Sequence, residues 1–285
     1  MKHKSLSIIA YGCVICICFA VLFATTYRAR YSDKTETEYT MVIMGDSVMG
    51  VCRDETSIPT QLSKLLDIPV FDGALGGTSL SRINDSSSMG YSKDCMSGVS
   101  LSKAIVSGDF GPQQSTEVKE SMTEYFPETI DEMEKIDFSR VDILLMQYGF
   151  NDYHAGVPIY PKEGEHGEAS FVGALESSIS ALHRAYPDLR IVLVTPTYSW
   201  YPYNELTHLT CEEYNLGGGV LEEYVNAEIQ TARSMNVEIL DVYHNFYAHD
   251  NWEDWETYTT DGLHPNEAGR TLLAQKIAAF LQKAG

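Results

Sequence analysis

Four short segments of the chain combine residue types that are able to do chemistry. In chain order they are Gly45-Asp46-Ser47, Asp72-Gly73-Ala74-Leu75-Gly76-Gly77-Thr78, Gly149-Phe150-Asn151-Asp152 and Asp261-Gly262-Leu263-His264-Pro265. A serine hydroxyl is a poor nucleophile until a neighbouring base takes its proton, and a neutral imidazole accepts a proton near pH 7. Ser47 and His264 are therefore a candidate nucleophile and its base.

Asp261 lies three residues before His264, so a tight turn can place its carboxylate against one nitrogen of the imidazole ring. There the carboxylate would fix the tautomer of the ring and stabilise the imidazolium. Each segment alone is weak evidence, because turns also use Gly, Asp, Asn and Ser for conformational reasons. Ser47 could simply cap a helix, and Asp261 and His264 could belong to a capping turn before a helix that Pro265 starts.

The sequence around these segments predicts a parallel α/β fold. Five short apolar runs are typical of buried strands: residues 40–44, 69–71, 141–146, 190–195 and 237–242. Three further stretches carry apolar residues on one helical face: Phe171, Leu175, Ile179 and Leu182; Leu221, Val225 and Ala232; and Leu273, Ile277 and Phe280. Such alternation predicts a parallel sheet covered by helices on both faces, with ligands bound at the carboxyl ends of the strands. All four polar segments are expected at that edge.

The order and content of the four segments resemble the SGNH, or GDSL, hydrolase family, which is named for a Ser, a Gly, an Asn and a His in separate blocks. The resemblance extends from residue 40 to the C-terminus, and the one departure in the first block, Val48 for Leu, touches no chemistry. It implies a flavodoxin-like three-layer α/β/α sandwich around a parallel sheet of about five strands. It also implies that Ser47 is the nucleophile, that Asp261 orients the base His264, and that the Asn151 side chain donates to the oxyanion.

The glycine block allows two alignments with the family. Matching Asp72 to the family's usual Asn makes Gly77 the oxyanion glycine, whereas matching Gly73 to the first Gly of the block makes it Gly76. We prefer Gly77. The predicted oxyanion hole then consists of the backbone N–H groups of Ser47 and Gly77 and the side-chain amide of Asn151.

The composition excludes one large class of partners. The 285 residues include 20 Lys and Arg against 40 Asp and Glu, a formal net charge of −20. A protein without a basic surplus has no means of releasing phosphate counterions, so nucleic acid is not an expected partner.

The remaining His residues of the folded part are scattered, without H-E-x-x-H or another ligand spacing. We therefore expect neither a metal nor a cofactor.

Residues 1–34 are predicted to lie outside the folded domain. Residues 5–26 carry no charge over 22 positions, and a membrane helix needs about 20. We expect a short cytoplasmic stub, an uncleaved signal anchor and a linker, followed by a hydrolase domain at residues 35–285 on the outer side of the membrane. The alternative is a cleaved signal peptide and a secreted domain. Basic residues flank the apolar run on both sides, so their charge gives no clean orientation.

Residues 81–140 form the least regular part of the domain and are expected to be a surface insertion. One helix is predicted near residues 116–126, ended by Pro127.

Outside the apolar N-terminal run there are three cysteines, so at most one disulfide can form. The pairing we expect joins Cys52 to Cys95 and leaves Cys211 free.

Together these features predict a membrane-anchored serine esterase that works through an acyl-enzyme. The favoured substrate is an O-acyl ester, above all an O-acetyl ester, on an extracellular glycan. Two aromatic clusters that flank the candidate site would stack on sugar rings or simply pack within loops: Tyr198, Trp200, Tyr201 and Tyr203; and Trp252, Trp255 and Tyr258. Two alternatives stay open, namely a lipid or short-chain acyl esterase or thioesterase, and a non-catalytic domain that binds acylated glycan.

Overall fold

The structure is a computed structural model that describes residues 39–83, 93–118, 123–162, 167–203 and 208–283. Its strands are β1 (Met41–Gly45), β2 (Val70–Asp72), β3 (Ile143–Gln147), β4 (Arg190–Val194) and β5 (Glu238–Leu240). Its α-helices are α1 (Ser47–Gly50), α2 (Ile58–Leu66), α3 (Lys93–Met96), α4 (Gly98–Ser107), α5 (Gly111–Gln114), α6 (Phe126–Lys135), α7 (Phe150–His154), α8 (Phe171–Ala185), α9 (Leu221–Ser234), α10 (Asp254–Tyr258) and α11 (Glu267–Lys283).

The five strands form one parallel sheet in the order β2-β1-β3-β4-β5. This is the flavodoxin-like order, in which the direction of winding reverses between β1 and β3 and leaves a crevice at their carboxyl ends. The fold class and the five strands predicted from the apolar runs are confirmed. The polar segments after β1 and β3 therefore lie on either side of this crevice.

The three central strands, β1, β3 and β4, are buried on both faces of the sheet, which explains why they are continuous apolar runs. On one face, alternate side chains such as Met41, Ile43 and Leu145 pack in a single core with residues of α2 and α11. On the other side, α4, α8 and α9 contact one another and form the second helical layer. Ser170, a residue type that often caps helices, precedes the long helix α8 and accepts a hydrogen bond from the Gly173 N–H.

The expectation that residues 81–140 form a surface insertion does not describe helix α4. Helix α4 buries Val99, Leu101 and Ile105 and packs against α8, so it belongs to a helical layer. The predicted helix at residues 116–126 is also wrong, because residues 116–118 and 123–125 are not α-helical. Pro127 instead lies in the first turn of α6, where its missing N–H costs no intrahelical bond.

The predicted Cys52–Cys95 disulfide is also wrong, since Cys52, Cys95 and Cys211 are all free thiols. The Cys52 thiol donates to an Asp54 carboxylate oxygen at 3.2 Å. The Cys95 sulfur lies 2.9 Å from the Thr116 hydroxyl. Each thiol therefore has its own polar neighbour rather than the other sulfur.

The predicted signal anchor at residues 5–26 and the boundary at residue 34 lie outside the described residues. Within the part of the chain that the structure describes, no helix is long and apolar enough to cross a bilayer.

Candidate active site

Ser47 is the first residue of α1, directly after the carboxyl end of β1. Asp46 caps this short helix, because its backbone is extended and its side chain accepts a 2.9 Å hydrogen bond from the Val48 N–H. Gly45 is required just before the turn, because a Cβ there would lie 2.9 Å from the carbonyl oxygen of Gln147 on β3. The tight strand-to-helix turn thus presents the Ser47 side chain at the crevice between β1 and β3.

The structure brings Ser47, His264 and Asp261 into one hydrogen-bonded chain. The Ser47 Oγ lies 2.9 Å from His264 Nε2, across 217 positions of sequence. The other ring nitrogen, His264 Nδ1, lies 2.6 Å from Asp261 Oδ2. The candidate nucleophile, base and orienting carboxylate are thus each within hydrogen-bonding reach of the next, as a serine triad requires.

The turn that carries Asp261 and His264 is fixed by its own short-range hydrogen bonds. Asp261 Oδ1 accepts from the N–H groups of Leu263 at 3.0 Å and His264 at 2.8 Å. Gly262 has a φ of +90°, and a Cβ at this position would lie 2.4 Å from the Trp200 carbonyl oxygen. One oxygen of the Asp261 carboxylate therefore builds the turn, and the other is left to orient the imidazole.

The electrostatics of the pair favour an ionised Asp261 and a basic His264. Burial lowers the pKa of His264, but the hydrogen bond and the charge of Asp261 outweigh it, so the pKa is raised above the usual value. Burial raises the pKa of Asp261, but its hydrogen bonds with His264 outweigh this and lower the pKa to about 2. Asp46 is fully buried, and its burial raises its pKa to about 7. Its carboxyl group also favours protonation of His264.

The glycine block and Asn151 form the other side of the same small pocket. Gly76 and Gly77 line it together with Ser47 and His264, and its volume is about 240 Å³. The Gly76 N–H donates to the Tyr125 hydroxyl at 2.8 Å. Gly77 has a φ of +73°, and within the described part of the chain its N–H donates no hydrogen bond.

Asn151 and Asp152 have different surroundings although they are adjacent. The Asn151 side-chain amide points along the pocket and donates to the Thr78 carbonyl oxygen at 2.9 Å. Asp152 is completely buried, and its carboxylate accepts from the N–H groups of Leu80 at 2.8 Å and Ser81 at 2.9 Å. It also accepts from the Ser81 hydroxyl. Asp152 therefore joins α7 to the chain after the glycine block.

A second, larger pocket of about 700 Å³ adjoins the first, because Phe150, His154 and Leu263 line both. Its wall is mainly aromatic and includes residues that sequence reasoning missed. The lining residues are Phe150, His154, Trp200, Tyr201, Pro202, Tyr203, Leu209, Tyr214, Asp261 and Leu263. Phe150 and His154 lie four residues apart on α7, on either side of Asn151 in the sequence, so their helical spacing could have indicated them.

The two aromatic clusters predicted to flank the site divide between core and cleft. Tyr198 is buried in the core, whereas Tyr201 and the strongly exposed Tyr203 line the larger pocket. Trp252 and Trp255 line a third pocket of about 710 Å³, which shares Pro202 with the larger pocket. Trp200 combines both situations, since it is buried and also forms part of the cleft wall.

Among the described residues, no group of three or more His, Cys, Asp or Glu side chains is placed to hold a metal ion.

Comparison with known proteins gives the family of the chain. The model of the GDSL-like lipase/acylhydrolase family matches residues 103–272, which is more than half of the sequence. The chain therefore belongs to the GDSL-like lipase/acylhydrolase family. It is an ester-hydrolysing enzyme. The resemblance inferred from the four segments is confirmed, although the matched range begins after Ser47 and the glycine block. No curated protein matches the chain in sequence.

Several solved structures share the fold. A protein from Lactobacillus plantarum superposes with a TM-score of 0.62 at 17% identity, covering 87% of this chain and 99% of that one. A possible lipase from Chitinophaga pinensis has a TM-score of 0.57 at 19% identity, with coverages of 87% and 99%. Est24, a carbohydrate acetylesterase from Sinorhizobium meliloti, has a TM-score of 0.54 at 14% identity, with coverages of 86% and 99%. At these identities the likeness concerns the fold.

Proposed function

We propose that this enzyme is a serine esterase that forms an acyl-enzyme on Ser47. The observation that carries the proposal is the hydrogen-bonded chain from Ser47 Oγ through His264 to Asp261, with distances of 2.9 Å and 2.6 Å. His264 takes the Ser47 proton as Oγ attacks the ester carbonyl, and then protonates the leaving alcohol. A water molecule, activated by the same imidazole, hydrolyses the acyl-enzyme and restores Ser47.

The negative charge that develops on the carbonyl oxygen is met by an oxyanion hole. The donors we propose are the backbone N–H groups of Ser47 and Gly77 and the side-chain amide of Asn151, each worth roughly 3 kcal/mol of barrier. Gly77 is favoured over Gly76 because the Gly76 N–H already donates to Tyr125. Asn151 uses one amide hydrogen on Thr78, which holds the amide in place and leaves its second hydrogen for the substrate.

The favoured substrate is an O-acyl ester, above all an O-acetyl ester, on a glycan. The pocket at Ser47 has room for a short acyl group, and the adjoining aromatic pocket suits the larger alcohol part of the ester. Flat aromatic faces bind the apolar faces of sugar rings, and Tyr203 and Tyr214 expose 76% and 40% of their surface there. A lipid or short-chain acyl esterase, or a thioesterase, remains the second candidate, because the same apolar wall would accept an acyl chain.

A domain that only binds acylated glycan is a weaker alternative. Binding alone has no use for an imidazole poised between a hydroxyl and a carboxylate.

We further propose that residues 5–26 anchor the enzyme and that its catalytic domain faces the outside of the cell; a cleaved signal and secretion are the alternative. The uncharged run of 22 residues behind a short basic start supports this arrangement. Protease added to intact cells, or to spheroplasts of a double-membrane organism, should digest the domain while cytoplasmic markers survive. Protection until lysis would place the domain in the cytoplasm and remove the case for an extracellular glycan.

The central test is Ser47→Ala in the full-length protein, assayed with p-nitrophenyl acetate. Loss of the nucleophile should lower kcat by about 10⁴-fold or more. Ser234→Ala is the matched control, because Ser234 also lies on a helix and its hydroxyl donates to the Thr231 carbonyl at 2.8 Å. Circular dichroism should show the same fold in both variants. Turnover by Ser47→Ala within tenfold of the parent enzyme would rule out the proposed nucleophile.

A further inference from the structure

The loop that carries Gly76 and Gly77 is only partly held by the sheet. Two of its N–H groups continue the pairing with β1, since Gly73 donates to Ile43 at 2.9 Å and Leu75 donates to Gly45 at 2.8 Å. Beyond Leu75 the chain turns away from the strand and no longer has a β1 partner within the described residues. The position of the next two peptides must therefore be fixed by other groups.

Arg53 connects this loop to the helix that begins with Ser47. Its Nε donates to the Gly50 carbonyl at 3.0 Å, at the end of α1. Its Nη1 donates to the Asp72 carbonyl at 2.8 Å, and its Nη2 donates to the Ala74 carbonyl. A planar guanidinium, with donors fixed in one fork, thus holds the nucleophile helix and the loop in a single arrangement.

Asp72 explains why an arginine is needed at this place. Its side chain is a carboxylate of which only 16% is exposed. Its Oδ2 lies 3.2 Å from Arg53 Nη1, and its Oδ1 accepts from the Ala74 N–H at 3.2 Å. A buried carboxylate without a cation would be costly, so the charge of Asp72 keeps Arg53 in position.

Tyr125 completes the connection from the opposite side. The guanidinium of Arg53 lies over its ring, 4.1 Å from the centroid, in the geometry of a cation–π contact. Its hydroxyl accepts the Gly76 N–H at 2.8 Å. Tyr125 is absent from the lining of the pocket at Ser47, so it is placed to act on the loop and not on the substrate.

We propose that Arg53 and Tyr125 are positioning residues that hold the Gly76 peptide, so that the next N–H, that of Gly77, points at the reacting carbonyl oxygen. The Tyr125 hydroxyl accepts the hydrogen bond of the Gly76 N–H, so the Gly77 N–H is the one that donates to the oxyanion. Arg53 keeps the loop at a fixed distance from Ser47 through Gly50. The inference rests on the proposed function, because it assigns the parts that support its oxyanion hole.

The sharpest test is Tyr125→Phe, which keeps the ring over Arg53 and removes only the hydroxyl that accepts from Gly76. Displacing an oxyanion donor by a fraction of an ångström should lower kcat on p-nitrophenyl acetate by about tenfold, with KM changed less than about twofold. Tyr186→Phe is the matched control, because it also removes a tyrosine hydroxyl. That hydroxyl donates to the Ile105 carbonyl, with a distance of 3.0 Å between the two oxygens, and does not contact the site. The control should keep the parent kcat.

A transition-state analogue distinguishes positioning from general stability. A trifluoromethyl ketone forms a tetrahedral adduct with an oxyanion, so in Tyr125→Phe its Ki should rise by the same factor by which kcat/KM falls.

Arg53→Lys should also lower kcat/KM and raise this Ki, because an ammonium cannot reach all three carbonyls. Its control is Arg190→Lys. Arg190, at the start of β4, donates two hydrogen bonds to the Glu238 carboxylate, which a lysine would also disturb. Concentrations of active enzyme are corrected by titration with a fluorophosphonate.

The outcomes separate this inference from the proposed function. If Ser47→Ala is inactive, as proposed, while Tyr125→Phe and Arg53→Lys match their controls in kcat and Ki, the positioning role is wrong and the esterase mechanism stands. A fall in the titrated active fraction with an unchanged kcat would likewise overturn it, because the residues would then serve folding alone. If the parent enzyme hydrolyses no ester, or Ser47→Ala keeps its activity, both proposals fail together.

Discussion

The two sides of the candidate site are held in place in different ways. The turn that carries Asp261 and His264 is tied by its own atoms, since the Asp261 carboxylate accepts two N–H groups within the next three residues. The loop that carries Gly77 is tied from a distance. Arg53 and Tyr125 brace it from one side, and Asn151 donates to it across 73 positions of sequence.

This difference determines how substitutions should act on the two sides. In the local turn, the residues that build the structure are also the residues proposed to do the chemistry, so a single change should remove that chemistry directly. In the loop, the proposed donor is a backbone N–H group, which every substitution except proline leaves in place. Changes there are expected to displace a donor and to have smaller, graded effects.

Among the substitutions that compare the two sides, the largest effect is expected for Asp261→Asn. The substitution keeps the shape of the side chain but removes the acceptor that fixes the His264 tautomer, so kcat should fall by about 10⁴-fold. Ester hydrolysis at saturating substrate measures the change, and Asp188→Asn, at an exposed position, is the control. A fall of less than about tenfold would mean that the local turn does not supply the orienting carboxylate.

A smaller effect is expected for Asn151→Ala on the other side. One oxyanion donor is lost together with its tie to Thr78, so kcat should fall by about 10² to 10³-fold with little change in KM. Asn226→Ala, at an exposed position of α9, should leave kcat unchanged. If KM rises while kcat is kept, Asn151 binds the ground state and is not part of the oxyanion hole.

The pH profile should show an acidic limb set by His264. Below its pKa the imidazole is protonated and cannot accept the Ser47 proton, so kcat/KM should fall about tenfold per pH unit. Because Asp261 raises this pKa, the limb should lie above the usual histidine value and should move to lower pH in Asp261→Asn. A limb that stays at the same pH in this variant would show that the Asp261 charge does not act on the base.

The smallest effect is expected in the aromatic pocket. Tyr203→Ala removes one exposed ring, so KM for an acetylated oligosaccharide should rise by about three- to tenfold while p-nitrophenyl acetate hydrolysis is unchanged. Tyr160→Ala is the control, because Tyr160 is also exposed and lies outside the lining of this pocket. A rise in KM that appears only with long acyl chains would favour the lipid esterase over the glycan esterase.

The same contrast explains how much could be predicted from the sequence. Strands buried on both faces appear as continuous apolar runs, so the three central strands were predictable, and with them the edge of the sheet at which the polar segments meet. The contact between Ser47 and His264 spans 217 positions, yet it followed from this edge. The Asp261–His264 turn was predictable because its geometry is local.

What the sequence did not indicate depends on contacts between distant side chains. Nothing in the local pattern links Tyr125 to Gly76 or Arg53 to Ala74, because neither pair has a characteristic spacing. Pro127 illustrates the same limit, since a proline is equally suited to end one helix and to stand in the first turn of the next.

The most direct measurement is covalent labelling of the full-length enzyme with a fluorophosphonate, followed by peptide mass spectrometry. The proposed mechanism predicts one adduct, located on Ser47, with activity lost in proportion to the labelled fraction. His264→Ala should label far more slowly, because the hydroxyl then lacks its base. Stoichiometric labelling of another residue, or full activity after complete labelling of Ser47, would contradict the central claim that this hydroxyl carries the acyl group.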